Sequence, residues 1–343
     1  MIEPNIFQNQ LLCWFDIHGR KGLPWQQSPT PYSVWVSEIM LQQTQVKTVI
    51  PFFNRFMSHY PNVEALASSP QDKILELWAG LGYYARARNL HSAAKSLVSQ
   101  HQGQFPKSLE HLTKLPGIGR STAGAILSLG MGIRAPILDG NVKRVLARQT
   151  LLETWPGSPS ALKRLWILSD QITPDLRPGD FNQAMMDLGA ILCTRKNPNC
   201  LECPVKSSCK AFMLGTTGEI PIPRPRKPNS FKTRFALILT DRFGRIYLER
   251  RPNQGIWGGL KSVPDFENLE ALERFILDCT GSPQEITCGT PLRHAFTHFT
   301  LLLTPVRVNL EKDVRFSGKL NGCWFDTGKI QGTPAPIIQL LKM

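Results

Sequence analysis

The hydrophobic rhythm of the chain changes once along its length. Up to about residue 215, apolar side chains recur every three or four positions, a spacing that lines one face of a helix. The runs VWVSEIMLQQTQVKTVIPFFNRF from Val34, DKILELWAGLGYYARARNLHSAAKSLVSQ from Asp72 and STAGAILSLGMG from Ser121 are examples. Glycine and proline punctuate them, as in FPKSLEHLTKLPGIGR from Phe105. Strand-like runs are nearly absent, so the first part is predicted to be all-α. Further on, RFALILTD, a turn at Gly244 and RIYLERR predict a β-hairpin. HFTLLLTPVRVNL predicts another strand region and NLEALERFILDC a helix between them, which together make an α+β domain with a mixed or antiparallel sheet. The stretch IPIPRPRKPNS separates the two patterns. Its prolines remove backbone donors and favour an extended spacer, so 219–231 is read as a linker between domains at 1–218 and 232–343.

Composition narrows the partner. Lysine and arginine number 40 against 26 aspartate and glutamate, a formal charge of +14, and the pI is near 9.6. Such a balance favours a polyanion, with nucleic acid first and an anionic membrane surface second. The membrane reading is weakened because no apolar run is long enough to span a bilayer. The opening MIEPNIFQNQ carries no secretion signal, so a reducing cytoplasm is expected, with nucleoid association if the source is bacterial. Structural disulfides are unexpected in that compartment.

Four of the 8 cysteines, Cys193, Cys200, Cys203 and Cys209, are spaced C-x6-C-x2-C-x5-C with no histidine among them. A metal held there must be bound by thiolates alone. Zinc accepts four thiolates but usually takes them from two short knuckles. A cubane [4Fe–4S] cluster suits one compact wrap of mixed spacings, and both readings stand on spacing alone. The remaining Cys13, Cys279, Cys288 and Cys323 are expected to be buried apolar thiols. Arg195 and Lys196 lie on the cysteine loop, where they contact phosphate or simply form a solvated face. LPGIGR, Leu115 to Arg120, falls between helical segments near 112–131. Gly117 and Gly119 allow a tight turn, Leu115 and Ile118 anchor it, and the helix from about Ser121 offers N–H groups to an anionic oxygen. Such a unit grips DNA backbone without reading bases.

LPGIGR, then LDGNVKRV, then the cysteine array resembles the helix-hairpin-helix DNA glycosylases of the endonuclease III superfamily, in which the array holds a [4Fe–4S] cluster. VWVSEIMLQQTQV and WAGLGYYARARNLH look like the adenine DNA glycosylases of the MutY type, which remove adenine mispaired with 8-oxoguanine. The second half resembles the Nudix-like C-terminal domain of that family. Bifunctional relatives carry a lysine nucleophile where this chain has Ser121, so a monofunctional hydrolase working as a monomer on double-stranded DNA is implied. Its rivals are an endonuclease III-like glycosylase/lyase on damaged pyrimidines and a non-catalytic DNA binder.

The resemblance assigns roles to particular residues. Glu38, set among Val34, Trp35, Val36, Ile39, Met40 and Leu41, is expected to stay protonated and to deliver its proton to N7 of adenine. Asp139 is expected to stay ionised beside the oxocarbenium-like sugar, although an aspartate before a helix is often only an N-cap. Asn141 is expected to orient Asp139 or water. Gln43 and Tyr83 are implied as wedges that replace the flipped base, Tyr83 and Tyr84 otherwise reading as core aromatics of an amphipathic helix. Trp25 and Gln183 are expected at the adenine pocket, with Gln26 where some relatives have arginine. In HAFTH, Phe296, Thr297 and His298 are expected to meet 8-oxoguanine. The helix LEALERFI lacks the glutamate cluster of a Nudix hydrolase, so recognition rather than hydrolysis is expected there.

Overall fold

The computed structural model describes residues 2–225, 230–252, 255–296, 299–310, 322–330 and 332–343. The chain forms two compact units, Met1–Pro70 with Arg86–Arg226 and Gln71–Ala85 with Lys227–Met343. The short segment Gln71–Ala85 thus groups with the C-terminal part rather than with the helices that flank it in sequence.

The first unit is helical. Its helices are α1 (Pro4–His18), α2 (Pro31–Leu41), α3 (Val46–His59) and α4 (Val63–Ser68); α5 (Gln71–Leu77) falls in the other unit. They continue as α6 (Ala85–His101), α7 (Leu109–Thr113), α8 (Arg120–Met131), α9 (Gly140–Thr150), α10 (Pro159–Ile172), α11 (Pro178–Ile191) and α12 (Lys210–Met213). Local chemistry sets the ends. Thr30 caps α2 by accepting from Ser33 N, Pro31 follows at the first helical position, and Gly132 closes α8 with φ 68. Helices α2 and α8 pack together, and α11 packs on both α8 and α9. The core beneath them includes Phe7, Leu11, Ile137, Val142, Val145, Phe181 and Leu188.

Two of the long helical runs are broken. VWVSEIMLQQTQVKTVIPFFNRF becomes α2 and α3 around a turn at 42–45, and the run from Asp72 becomes α5 and α6 around 78–84. Positive φ marks both breaks, at Gln43 (59) and at Gly80, Gly82 and Tyr83 (97, 75 and 51). Tyr83 and Tyr84 therefore lie in a loop and not on an amphipathic helix.

The second unit holds a mixed sheet. Its strands are β1 (Ser230–Thr240), β2 (Ile246–Arg250), β3 (Lys261–Ser262), β4 (Asp265–Phe266), β5 (Thr287–Cys288), β6 (Leu292–Ala295), β7 (Phe299–Asn309) and β8 (Gly322–Phe325). Helices α13 (Leu269–Thr280) and α14 (Ala335–Lys342) complete it. The order is β3-β2-β1-β7-β5, with β4 on β1, β6 on β7 and β8 on β2. The hairpin forms with Thr240 opposite Ile246, and β7 runs parallel to β1 from Ser230–Phe299 to Thr240–Asn309. The unbroken apolar run of β1 is buried on both faces. Ala236 and Ile238 meet Ile337 and Leu340 of α14, while Leu237 and Leu239 meet Leu272 and Ile276 of α13.

Candidate active site

A cleft of about 1190 Å³ opens in the helical unit, and Glu38 and Asp139 both line it. Glu38 sits near the end of α2, where Val34, Trp35, Val36, Ile39 and Met40 are buried around it. Burial, then the neighbouring Asp139 charge, pushes its carboxyl up to about 8. Asp139 does cap α9, as its position before a helix predicted: Oδ1 accepts from Val142 N at 2.7 Å. Capping leaves it on the cleft wall. Burial raises its carboxyl too and is the largest influence on it; backbone donors at Val142 and Asn141 and the Arg144 and Lys143 charges oppose that rise only in part. The two carboxyls differ in what surrounds them. Glu38 has only influences that favour its neutral form, whereas Asp139 has donors and cations that favour its anion.

Asn141 helps through its backbone N–H. Its side-chain oxygen accepts instead from Arg144 Nη2 at 2.8 Å. Arg144, in LDGNVKRV one helical turn after Asn141, is a residue the sequence reading passed over. It also donates to Gly189 O at 2.6 Å and to Cys193 O at 2.7 Å, and so spans from the cleft to the cysteine loop.

The pocket side of the cleft is fixed by packing and a buried carboxylate. Trp25 is buried in a short turn, Pro24–Gln26, edge-on to Phe53 at 5.3 Å. Gln26 lines the cleft and closes that turn, its Oε1 accepting from Leu23 N. Gln183 donates to Oδ1 of Asp187 at 2.9 Å, and Asp187 also takes three bonds from Arg20 of 2.6 to 2.9 Å. Asp187 is fully buried. Arg20 and Asp187 were missed. The i, i+4 spacing of Gln183 and Asp187 was the available signal for the second.

The hairpin has the expected anchors, with Leu115 and Ile118 buried. Gly117 has φ 76, and a Cβ there would come within 2.7 Å of the Asn89 Cβ. Gly119 is the exposed N-cap of α8, with open space where a Cβ would stand. Arg120 is exposed and stacks on Trp166 at 4.0 Å. Ser121 faces the cleft, and its Oγ accepts from Leu138 N at 3.0 Å, steadying the strand-like approach to Asp139. Gln43 is exposed on the cleft rim. Tyr83 is 52% exposed, which excludes a core aromatic, and it belongs to the other unit.

Cys193, Cys200, Cys203 and Cys209 line one pocket, and Arg148 Nη1 donates to the Cys193 sulfur at 3.2 Å. Burial pushes the Cys203 thiol up to about 12, with the other three sulfurs adding to it. Among the described residues no three metal-binding side chains are grouped as a single ion would need. Arg195 and Lys196 are exposed beside it. Of the other four cysteines only Cys279 is buried; Cys13, Cys288 and Cys323 are exposed, against expectation.

In the second unit Phe296 does not stand free. Its ring stacks on Phe299 at 4.6 Å, meets His294 edge-on and packs against the sheet core. Thr297 and His298 lie outside the described residues.

Comparison with known proteins agrees with this geometry. A model of the HhH-GPD superfamily of base excision DNA repair proteins matches residues 36–170, and a NUDIX domain model matches 234–343. An adenine DNA glycosylase of Buchnera aphidicola subsp. Baizongia pistaciae is 39% identical over 98% of this chain and 96% of its own. The human adenine DNA glycosylase is 44% identical over 61% of this chain and 40% of its own. Among solved structures, a thermostable thymine-DNA glycosylase aligns with a TM-score of 0.55 and 26% identity, over 62% of this chain and 97% of that one. Near-complete alignment at 39% identity, carrying both modules in the same order, decides among these: the chain belongs to the adenine DNA glycosylase family.

Proposed function

We propose that this chain removes adenine from double-stranded DNA where it faces 8-oxoguanine or guanine, by hydrolysis of the N-glycosidic bond. The observation that carries the reading is that Glu38 and Asp139 line the same cleft in different surroundings, Glu38 with no influence that favours its anion and Asp139 with backbone donors and nearby cations that do. Adenine leaves poorly as an anion. A protonated Glu38 supplies its proton to N7, so the base departs neutral. Bond cleavage leaves positive charge on the sugar, and the anionic form of Asp139 sits where it stabilises that charge or bonds to it transiently. Water then completes the exchange. Trp25 offers a flat face to the flipped base, and Gln183, with a donor already committed to Asp187, offers its carbonyl oxygen to the exocyclic amino group. Ser121 replaces the amine a lyase needs, so the sugar is left as an intact abasic site.

Phosphates are assigned to the α8 N-terminus with Gly117, Gly119 and Arg120, and to Arg195 and Lys196. Gln43 and Tyr83 are assigned as wedges, which suits their exposure. Recognition of the base opposite adenine is assigned to the second unit and to the segment around Phe296, Thr297 and His298.

The four cysteines are read as the ligands of a [4Fe–4S] cluster. The fit rests on the donor set: four free cysteines, half-buried or buried, line one pocket, with no histidine among them. When bound, such a cluster supplies cross-linking of the loop that carries Arg195 and Lys196.

The test is a duplex carrying one adenine opposite 8-oxoguanine, guanine, cytosine or thymine, incubated with the protein and then treated with alkali. Strand breaks are expected opposite 8-oxoguanine and guanine, and only after alkali. Breaks without alkali, or none at all, contradict the reading.

A further inference from the structure

The turn between α2 and α3 holds a residue in a conformation its side chain disfavours. Thr44 N donates to Leu41 O at 3.2 Å. Gln42 has φ −57 and ψ 110, and Gln43 has φ 59. These are the angles of a type II turn, whose third residue needs positive φ and is normally glycine or asparagine. The same four residues have a second option. Flipping the peptide between Gln42 and Gln43 gives a type I turn, in which Gln43 relaxes to negative φ and its side chain points elsewhere. The direction of the Gln42 carbonyl distinguishes the two states.

That carbonyl is held. Nη1 of Arg86, a half-buried residue in the first turn of α6, donates to Gln42 O at 2.6 Å. The same nitrogen reaches Ile39 O at 2.8 Å and Met40 O at 2.9 Å, and Nη2 reaches Thr44 Oγ1 at 3.3 Å. Capping the end of α2 would require only the first pair of carbonyls. The bonds to Gln42 and Thr44 go further, because a flipped peptide would carry the Gln42 oxygen away from the guanidinium.

We propose that Arg86 is a positioning residue that locks the 41–44 turn in its type II state and so holds Gln43 rigidly on the cleft rim. This rests on the reading of Gln43 as the wedge that enters the duplex. A wedge already in place does not have to be ordered when the base leaves the stack, so its rigidity speeds excision.

A double-mutant cycle tests it, using Arg86→Met and Gln43→Ala in the full-length protein under single-turnover conditions with enzyme in excess. Arg86→Met is expected to slow adenine excision by about tenfold or more when Gln43 is present, and by less than about twofold when it is alanine. Equal factors in the two backgrounds overturn the proposal and leave adenine excision itself standing. Amide hydrogen exchange of the free protein reads the turn independently of any activity. Arg86→Met is expected to speed exchange about tenfold in peptides covering 41–46 and to leave the hairpin at 114–121 unchanged. Unchanged exchange at 41–46 overturns the proposal, even if the native protein excises nothing and the excision reading fails with it. Should Arg86→Met fail to fold, Arg86→Lys keeps the charge and one donor. It is expected to show the same non-additivity at smaller amplitude, and simple additivity in that variant also counts against the lock.

Discussion

Glu38 keeps its proton at neutral pH because the end of α2 buries it and Asp139, lining the same cleft, adds a neighbouring negative charge. Both influences penalise the charged form. Excision that needs neutral Glu38 is therefore expected to fall about tenfold per unit above pH 8, and the need for anionic Asp139, raised by burial, to bring a second fall on the acid side, in single-turnover rates measured from pH 4 to 10. A rate still rising at pH 9 would show that another group donates the proton. The same shift bears on stability. A carboxyl whose folded pKa lies above its unfolded value stabilises relatively below the unfolded pKa, near 4.5, and loses that contribution as pH rises to about 8. Glu38→Gln removes the titration. Its melting temperature is expected to match the native protein near pH 4.5 and to exceed it by about 2–4 °C per kcal/mol relieved at pH 8.5. Glu38 was legible from its apolar neighbours in sequence. Arg144, Arg20 and Asp187 were not, because their work is a set of contacts with residues far along the chain, and only folding reveals those partners.

The elements show why some segments were easier to read than others. Helical spacing in the first part and the apolar run RFALILTD are local signals, and α2, α8, β1 and β2 follow them. The break at 42–45 was hidden, since a turn that seats a glutamine at positive φ has no compositional mark, whereas the break at 78–84 carries Gly80 and Gly82 and was masked by the helical rhythm on either side, with Tyr83 also at positive φ. Sequence rules expect glycine there, and those two breaks carry the assigned wedges. The hairpin at 114–119 is the opposite case, because Gly117 satisfies both the positive φ and the approach of Asn89. Replacing it with alanine adds strain of about 1–3 kcal/mol. Gly117→Ala is thus expected to lower the melting temperature by about 3–8 °C and to weaken duplex binding, while excision from duplex already bound changes little. An unchanged melting temperature would mean the loop has another conformation.

At the scale of the whole molecule, the two-part organisation was visible in the change of periodicity, but the grouping of Gln71–Ala85 with the second unit and the parallel pairing of β7 with β1 were not. Both are long-range choices that no local pattern encodes. The charge of +14 was visible, and the exposed Arg195 and Lys196 are part of it. Changing both to glutamine is expected to reduce the slope of log affinity against log salt by about two for duplex DNA, with discrimination among opposing bases unchanged. An unaltered slope would remove the cysteine loop from the DNA interface. The central claim, that one neutral and one charged carboxyl divide the work on a flipped adenine, is tested most directly with Glu38→Gln. Excision from an adenine opposite 8-oxoguanine and affinity for the same duplex are measured side by side. The account predicts that excision is abolished while affinity stays within about threefold of native. Excision at the native rate by this variant would contradict it.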